Sequence, residues 1–409
     1  WTKVLRDDLN LFADILYSER KARSTRAGFA LPITVPSTHP FYVNPTGGTE
    51  PVVIMYNFLD DLGPTRFDIN VTTANLVLGI DWVIANDWRL SAYGGRTFEK
   101  EHSKPSGKVD LNALEIALAD PNPATVFNPF GDGSHTNPAT LDAITDKVAL
   151  FKSNSRYDQI NVTASGPLGQ TTAGPTRLTF GGEFRRQLFK DITQDATFSL
   201  APIELSRNIT TVFGELAVPL VSRKNRRPAA ERLELSLGAR FEDHSDAGSG
   251  LTPKLGILWE PLSGLSLRST WSKSFKAPTL PNMAETRSFS GIIPVSAPLS
   301  ENGVMNVLVR TGKNADLRKE RGESWTIGAD FMLPVPTGLG LALTYFDVHV
   351  LDQILEPSFP VNIFDDPALT GLIDFTPTEA ERAAVCARSM YVAQGSIVAD
   401  CMEGSIGAI

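Results

Sequence analysis

Apolar and polar residues alternate strictly along the stretch 231–278. At 233–241 leucine, alanine and phenylalanine occupy every second position, and charged or small residues lie between them. Because side chains of a strand point alternately to its two faces, this pattern places all the apolar groups on one face. It recurs at 254–260 and, after a tight turn at 261–264, at 265–272. The stretch therefore predicts three antiparallel strands with one apolar and one charged face.

Two folds use strands of this kind, a soluble β-sandwich and a membrane β-barrel. In a sandwich the apolar face points inward, whereas in a barrel it contacts lipid and the polar face lines an aqueous lumen. Periodicity alone does not separate them. Each run has roughly the 9–11 residues that a tilted strand needs to cross a bilayer, while soluble strands usually have about 5–6. Strand length therefore favours the barrel.

Similar runs recur along most of the chain and bring the number of predicted spanning strands to about eleven. These further strands are predicted at 9–23, 66–84, 88–100, 158–168, 176–189, 209–221, 323–333 and 338–350. Helical patterns occur only between strands or after them, at 138–151 and 377–392. The pattern is that of an all-β protein with short helical pieces in its loops.

The joins between predicted strands alternate in length. Short turns are predicted at 85–87, 169–175, 261–264 and 334–337, and long loops at 24–64, 101–155, 190–207 and 279–322. Joins of intermediate length at 222–230 and 243–251 keep the same phase. Outer-membrane barrels have short periplasmic turns and long extracellular loops. A soluble sandwich has no reason to collect its long loops at one end, so the alternation again favours an antiparallel transmembrane β-barrel.

Composition excludes several other classes. The chain has 409 residues, of which 42% are hydrophobic and 21% charged, values that argue against disorder. Its net charge of −8 argues against a nucleic-acid partner, and no apolar run is long enough for a membrane-spanning helix. The motifs GxSxG, HExxH and GxxxxGK[ST] are absent, and the five histidines are scattered, so that most should be solvated. We therefore expect no enzyme activity, no metal site and no cofactor.

Three phrases carry a resemblance to a known family. LSLRSTWSKSFKAPTLPNM at 265–283 resembles the barrel signature of TonB-dependent outer-membrane receptors. NADLRKERGESWTIGADF at 314–331 resembles a second string of that family, although Ala315 and Lys319 stand where proline is usual. FNPFGDGS at 127–134 is a third such phrase. Their order along the chain is also that of the family.

The resemblance implies a 22-stranded barrel with a plugged lumen, of which this chain holds about half the strands. We expect residues 1–409 to be an internal part of the barrel domain, without the N-terminal plug, the TonB-contacting motif and the final strands. The implied protein lies in the bacterial outer membrane, contacts its lipid, and couples to the TonB complex through the missing N-terminal part. Its extracellular loops would bind a scarce solute such as an iron-siderophore, a cobalamin or an oligosaccharide. A passive porin and an adhesive barrel are the alternatives.

Residues that bind the solute are not marked by any motif. Charged side chains predicted to face the lumen are the only candidates for contacts with ligand or plug: Glu183, Arg185, Arg232, Glu234, Arg240 and Arg268. The competing explanation is that a polar lumen wall simply needs charges of both signs.

The two cysteines, Cys386 and Cys401, lie close together near the C-terminal end. The loop phase places the segment after 338–350 outside the cell, where no glutathione pool keeps thiols reduced. We therefore expect a disulfide between them in an extracellular loop. Two unpaired thiols remain the alternative.

Overall fold

Antiparallel strands make up most of the chain. The computed structural model describes residues 1–28, 30–45, 47–84, 87–130, 136–196, 200–284, 289–296, 304–332, 338–355, 370–388 and 390–391. The strands are β1 (Thr2–Arg6), β2 (Leu9–Thr25), β3 (Ala30–Val35), β4 (Val52–Asn57), β5 (Arg66–Val83), β6 (Arg89–Ser106), β7 (Leu150–Gln170), β8 (Pro175–Gln194), β9 (Ile203–Val221), β10 (Arg232–His244), β11 (Gly248–Leu262), β12 (Leu265–Lys276), β13 (Phe289–Ser296), β14 (Val304–Thr311), β15 (Glu320–Met332), β16 (Gly340–Leu351) and β17 (Met390–Tyr391). The helices are α1 (Leu59–Leu62), α2 (Leu111–Leu118), α3 (Pro138–Ile144) and α4 (Glu379–Arg388).

Twelve of the described strands form one sheet. Its order is β1-β2-β5-β6-β7-β8-β9-β10-β11-β12-β15-β16, and every neighbouring pair is antiparallel. Within the described part of the chain neither β1 nor β16 has a neighbour on its outer side, so the sheet is open. All eleven predicted strands are present in the predicted order, and the short β1 is an addition.

The register of the sheet sorts side chains onto two faces. Leu237 of β10 lies opposite Leu216 of β9 and Leu255 of β11, and these leucines belong to continuous apolar rows. Leu237 and Leu255 remain 39% and 43% exposed, so this apolar face has no protein layer over it. We call the other side the polar face; it carries Arg240. The sequence pattern predicted this division.

Joins of very different length lie at the two ends of the sheet. Long connections at 26–65, 107–149 and 277–319 share one end, which we call the loop end. The joins at the opposite turn end include 263–264 between β11 and β12, where Gly264 has a φ of 86°. A Cβ at Gly264 would lie 2.7 Å from the carbonyl oxygen of Met332, so only glycine fits this turn without strain. The three long joins confirm the predicted side of the long loops, but the loop predicted at 190–207 shortens to 195–202, because β8 and β9 extend into it, and the join predicted at 243–251 shortens to 245–247. The predicted turns at 85–87 and 334–337 lie wholly or partly outside the described residues.

The long loops contain more structure than the sequence pattern predicted. The loop at 24–64 holds the β3–β4 hairpin and α1, and the loop at 279–322 holds the β13–β14 hairpin. The helix predicted at 138–151 is shorter, because Thr145 is extended and pairs with Val109 in an isolated bridge. Several sheet strands extend beyond their predicted ends into this region, up to the 21 residues of β7.

Two of the long loops pack together around one hydrophobic core. We call the unit formed by β3, β4 and α1–α3 the loop cap. Its buried core consists of Leu31, Ile33, Val35, Phe58, Val109, Leu114, Leu118, Phe127 and Ile144. Phe127 stacks on Phe58 with ring centroids 5.5 Å apart and meets Tyr56 edge-on at 5.3 Å. Burial, followed by a hydrogen bond to Asp61, raises the pKa of Tyr56 above its usual range.

His39 joins the same core, against the expectation that the scattered histidines are mostly solvated. Its side chain is buried, and its Nε2–H donates to the carbonyl oxygen of Phe127 at 2.9 Å. Its Nδ1 accepts from the backbone N–H of Phe41 at 3.1 Å. Both ring nitrogens are therefore satisfied within the cap, and His39 has a structural role there.

The helix predicted at 377–392 is α4. Thr378 and Glu381 form a capping box at its start: the Thr378 backbone N–H donates to Glu381 at 2.8 Å, and the Glu381 backbone N–H donates to the Thr378 hydroxyl at 3.3 Å. Hydrogen bonds from the Thr378 hydroxyl and backbone lower the pKa of the Glu381 carboxyl. No helix within the described ranges is both long and apolar enough to cross a membrane.

Candidate ligand-binding site

Charged side chains concentrate on the polar face of three neighbouring strands. Glu183 and Arg185 are two positions apart on β8, and Arg240 and Glu242 are two positions apart on β10, so each pair shares a face. Thr211 of β9 lies opposite both Glu183 and Glu242 in the register. The topology therefore brings four charged groups from two strands around one threonine of the strand between them.

Glu242 is the centre of this cluster. Its Oε1 accepts hydrogen bonds from Arg185 Nη2 at 2.7 Å and from Arg240 Nη2 at 2.6 Å. Arg185 Nε lies 2.5 Å from a carboxylate oxygen of Glu183, and the Thr211 hydroxyl donates to Glu242 at 3.3 Å. The side chains of Glu183, Arg185 and Glu242 are only 13–19% exposed. Two arginines and two carboxylates thus neutralise one another in a largely enclosed place.

The absence of a side chain at Gly181 of β8 helps to position Arg240. Gly181, Phe213 and Arg240 lie opposite one another on β8, β9 and β10. A Cβ at Gly181 would lie 2.6 Å from the Phe213 ring, so the ring covers the glycine. The Arg240 guanidinium in turn lies 5.8 Å from the Phe213 ring centroid, within the range of a cation–π contact.

Aromatic and basic groups continue the cluster toward the loop end. The His244 ring meets Phe275 edge-on at 5.8 Å, and its Nε2 is 3.6 Å from Glu242. Arg207 of β9 is 4% exposed and donates through Nε to Asp246 at 2.5 Å. These contacts tie the ends of β9, β10 and β12 together.

A pocket of about 570 Å³ opens beside the cluster at the loop end of the polar face. Its lining includes Glu99, Tyr157, Arg185, Gln187, Phe189 and Phe275. The volume falls within the range of roughly 300–1,000 Å³ that is typical of small-molecule sites. The mixture of aromatic rings with a few polar groups is also typical of such sites.

Two polar side chains of the pocket have hydrogen-bonding capacity to spare. Tyr157 and Gln187 lie opposite each other on β7 and β8. The Tyr157 hydroxyl accepts a hydrogen bond from Arg185 Nη1 at 3.2 Å, which leaves its own proton free to be donated. The Gln187 amide makes no hydrogen bond to another residue of the described part of the chain. Both groups are therefore available to a ligand.

The structure separates the six predicted lumen-facing charges into three places. Glu183, Arg185 and Arg240 meet in the cluster around Glu242. Arg232 pairs instead with Glu234 at 2.9 Å and with Glu260 near the turn end. Arg268 pairs with Asp330 and donates to Thr344 at 2.7 Å. Further members of the site, which were not among the predicted candidates, are Tyr157, Gln187, Arg207, Glu242 and His244. Of these, Glu242 and His244 share the spacing of Arg240 along β10 and could have been found by extending the alternation.

The remaining expectations concern metal ions and the two cysteines. Among the described residues no three His, Cys, Asp or Glu side chains are grouped so that they could hold a metal ion. Cys401 lies outside the described residues, so the disulfide between Cys386 and Cys401 stays a prediction.

The sheet matches a known family of membrane barrels. A family model described as "TonB dependent receptor-like, beta-barrel" matches residues 14–380. The chain belongs to this family. The TonB-dependent receptor barrel explains the open antiparallel sheet, since the chain supplies only part of the barrel. It also places the protein in the bacterial outer membrane, as the sequence predicted.

Individual relatives of this receptor chain are distant. It is 25% identical over 244 residues, 57% of its length, to the probable TonB-dependent siderophore receptor PirA of Acinetobacter baumannii, and spans 29% of that protein. The crystal structure of the siderophore receptor PirA from A. baumannii matches with a TM-score of 0.50 and 14% identity, over 86% of this chain and 49% of that one. The Pseudomonas aeruginosa ferripyoverdine receptor bound to ferripyoverdine matches with a TM-score of 0.46 and 10% identity, over 85% and 40%. At 14% identity the PirA structure shows the fold alone.

Membership of the receptor family assigns each face of the sheet to lipid or lumen and each end to one side of the membrane. The apolar face contacts lipid and the polar face lines the lumen. The loop end, with the cap and the pocket, is extracellular, and the turn end is periplasmic. The cluster around Glu242 therefore lies in the lumen wall just inside its extracellular mouth.

This assignment predicts opposite outcomes for adjacent residues of β10. Leu237→Arg should destabilise the folded receptor by about 2–4 kcal/mol, because an arginine in the middle of the apolar band would contact lipid. Ser236→Arg should be tolerated, since the Ser236 side chain faces the lumen and donates to Glu215 at 3.0 Å. Unfolding of the receptor in lipid vesicles measures both. Equal losses at the two positions would contradict the assignment of the faces.

Proposed function

We propose that the receptor containing this chain takes up a ferric siderophore, and that the pocket beside Arg185 forms part of its binding site. The proposal rests on the pocket, which lies at the extracellular mouth of the lumen. It combines aromatic rings with polar groups that can form further hydrogen bonds. The relative in A. baumannii is named a probable siderophore receptor, which supports the same substrate class.

The chemistry of the pocket suits an iron chelate. Siderophores surround iron with oxygen ligands, commonly on flat catechol or hydroxamate groups, and many of their ferric complexes are anionic. Phe189 and Phe275 offer ring faces for flat groups. The Tyr157 hydroxyl and the Gln187 amide offer donors for peripheral oxygens.

We infer complementary tasks for the two ends of the receptor. A β-barrel provides a rigid frame, and the residues that recognise a ligand lie on and beside its extracellular loops. The ordered cap at this end offers a larger recognition surface than a simple pore needs. In this proposal the solute binds at the extracellular end, and energy delivered through the TonB complex to the N-terminal part of the receptor drives its passage.

A binding measurement on the intact purified receptor tests the role of the pocket. Tyr157→Phe and Gln187→Leu should each weaken binding of the preferred ferric siderophore by about three- to tenfold, the range expected for one lost hydrogen bond. Ser266→Ala, on the lumen side near the periplasmic end, is the control and should bind normally. A panel of ferric catecholate, hydroxamate and carboxylate chelates, with cobalamin and an oligosaccharide as other classes, identifies the ligand. Unchanged affinity in both pocket variants would remove the pocket from the binding site.

A further inference from the structure

The lipid-facing side of the sheet changes character at its extracellular end. On β7 and β8 the apolar band ends at a row containing Ile160 and Phe184, which are 61% and 46% exposed. The next row outward, about 6.7 Å further along the strands, contains Arg96, Asp158 and Arg186 instead. Charged side chains therefore begin where the strands leave the hydrocarbon region.

Beyond this boundary the outward-facing positions of β6, β7 and β8 are strongly basic. They carry seven lysines and arginines but a single acidic residue, Asp158. The seven are Arg96, Lys100, Lys104, Lys152, Arg156, Arg186 and Lys190. We call them the basic belt. Such an imbalance in a chain of net charge −8 is local and does not reflect the composition as a whole.

Most of this charge is not neutralised within the described part of the chain. Asp158 pairs with both Arg96 and Arg156, the latter at 3.1 Å, and Lys190 lies 3.4 Å from Glu204 of β9. The other four members of the belt form no ion pair with another described residue: Lys100, Lys104, Lys152 and Arg186. Three of these four are exposed, and Lys152 is half-buried.

We propose that the basic belt binds the phosphorylated headgroup of a lipid in the outer leaflet. The belt begins directly beyond the apolar band, where the groups beside the barrel wall are lipid headgroups, and continues outward along β6 to Lys104. A phosphate dianion supplies negative charge that neutralises the lysines and arginines of the belt. Each of its oxygens can accept a hydrogen bond from lysine or arginine. Side chains spread over three strands about 4.8 Å apart match a headgroup that carries more than one phosphate.

The test uses the intact receptor in a neutral detergent and, as probes, bisphosphorylated lipid A and its dephosphorylated form. Bound lipid is counted by native mass spectrometry. The belt variant combines four substitutions: Lys100→Gln, Lys104→Gln, Lys152→Gln and Arg186→Gln. The control makes the same change in charge at the periplasmic turn: Arg223→Gln, Lys224→Gln, Arg226→Gln and Arg227→Gln. Siderophore binding reports whether each variant is folded.

We expect the unaltered receptor and the control to retain the bisphosphorylated lipid, and the belt variant to bind it about 100-fold or more weakly, since each basic group near an anionic surface contributes roughly fivefold. A variant with only Lys100→Gln and Arg186→Gln should bind the bisphosphorylated lipid roughly 20-fold more weakly than the unaltered receptor. This double variant provides the measurement if the variant with four substitutions does not fold. Equal retention by the belt variants and the control, or equal binding of the dephosphorylated lipid, would overturn the proposal.

Discussion

Replacing Phe127 with alanine should open the loop cap without unfolding the barrel. Phe127 is fully buried and contacts Phe58 and Tyr56 through its ring. Removing a buried phenylalanine costs about 3–5 kcal/mol, because apolar contacts are lost and a cavity remains. The cap has its own core, so the loss should be confined to it.

Amide hydrogen exchange in the intact receptor measures this effect. Exchange through local opening should accelerate more than about 100-fold in the cap hairpin and in α2, while the strands of the main sheet keep their protection. Ile116→Ala is the matched control, because Ile116 lies on α2 but is 75% exposed. Ile116→Ala should change the free energy of local opening of the cap by no more than about 0.5 kcal/mol. If Phe127→Ala left cap exchange unchanged, the two loops would not share one core.

Replacing Glu242 with leucine should destabilise the folded receptor by about as much as Phe127→Ala destabilises the loop cap, but through charge and not through packing. The change removes the acceptor that Arg185 and Arg240 share and leaves Glu183 as the one carboxylate of the cluster beside two arginines, so that one positive charge is no longer compensated. Breaking a buried ion pair by removing one partner typically costs about 3–5 kcal/mol, since the remaining charge is uncompensated. The variant should therefore unfold at a clearly lower denaturant concentration than the unaltered receptor.

Glu234→Leu provides the control on the same strand. Glu234 pairs with Arg232, but its side chain is 40% exposed, and exposed pairs of this kind contribute about 0–1 kcal/mol. Denaturant unfolding of both variants in the same detergent gives the comparison. Similar losses at the two positions would mean that the cluster around Glu242 is no more than an ordinary part of a polar lumen wall.

The strands of the sheet could be predicted from the sequence because their signal is local. A period of two over nine or more residues is visible within one segment, and the alternation of short and long joins fixes the order. The loop cap could not be predicted in this way. Its core joins β3 to α2 and α3, which lie about 80–110 positions later in the chain, and no local pattern records such a contact.

The candidate site shows the same limit. Arg185 and Arg240 could each be assigned to the lumen from the alternation on their own strands. That both contact Glu242 follows only from the placement of β9 between β8 and β10. The alternation also selected Arg232 and Arg268. Both lie on the lumen face, but they form ion pairs elsewhere along the strands and do not reach the pocket.

Uptake of iron by whole cells tests the proposed function most directly. Cells that lack their own siderophore receptors would produce the full-length receptor, with or without the inner-membrane TonB protein, and receive a radioactive ferric siderophore. Energy-coupled transport predicts accumulation that requires both the receptor and TonB. Accumulation that is equal with and without TonB would contradict the proposal and indicate a passive porin.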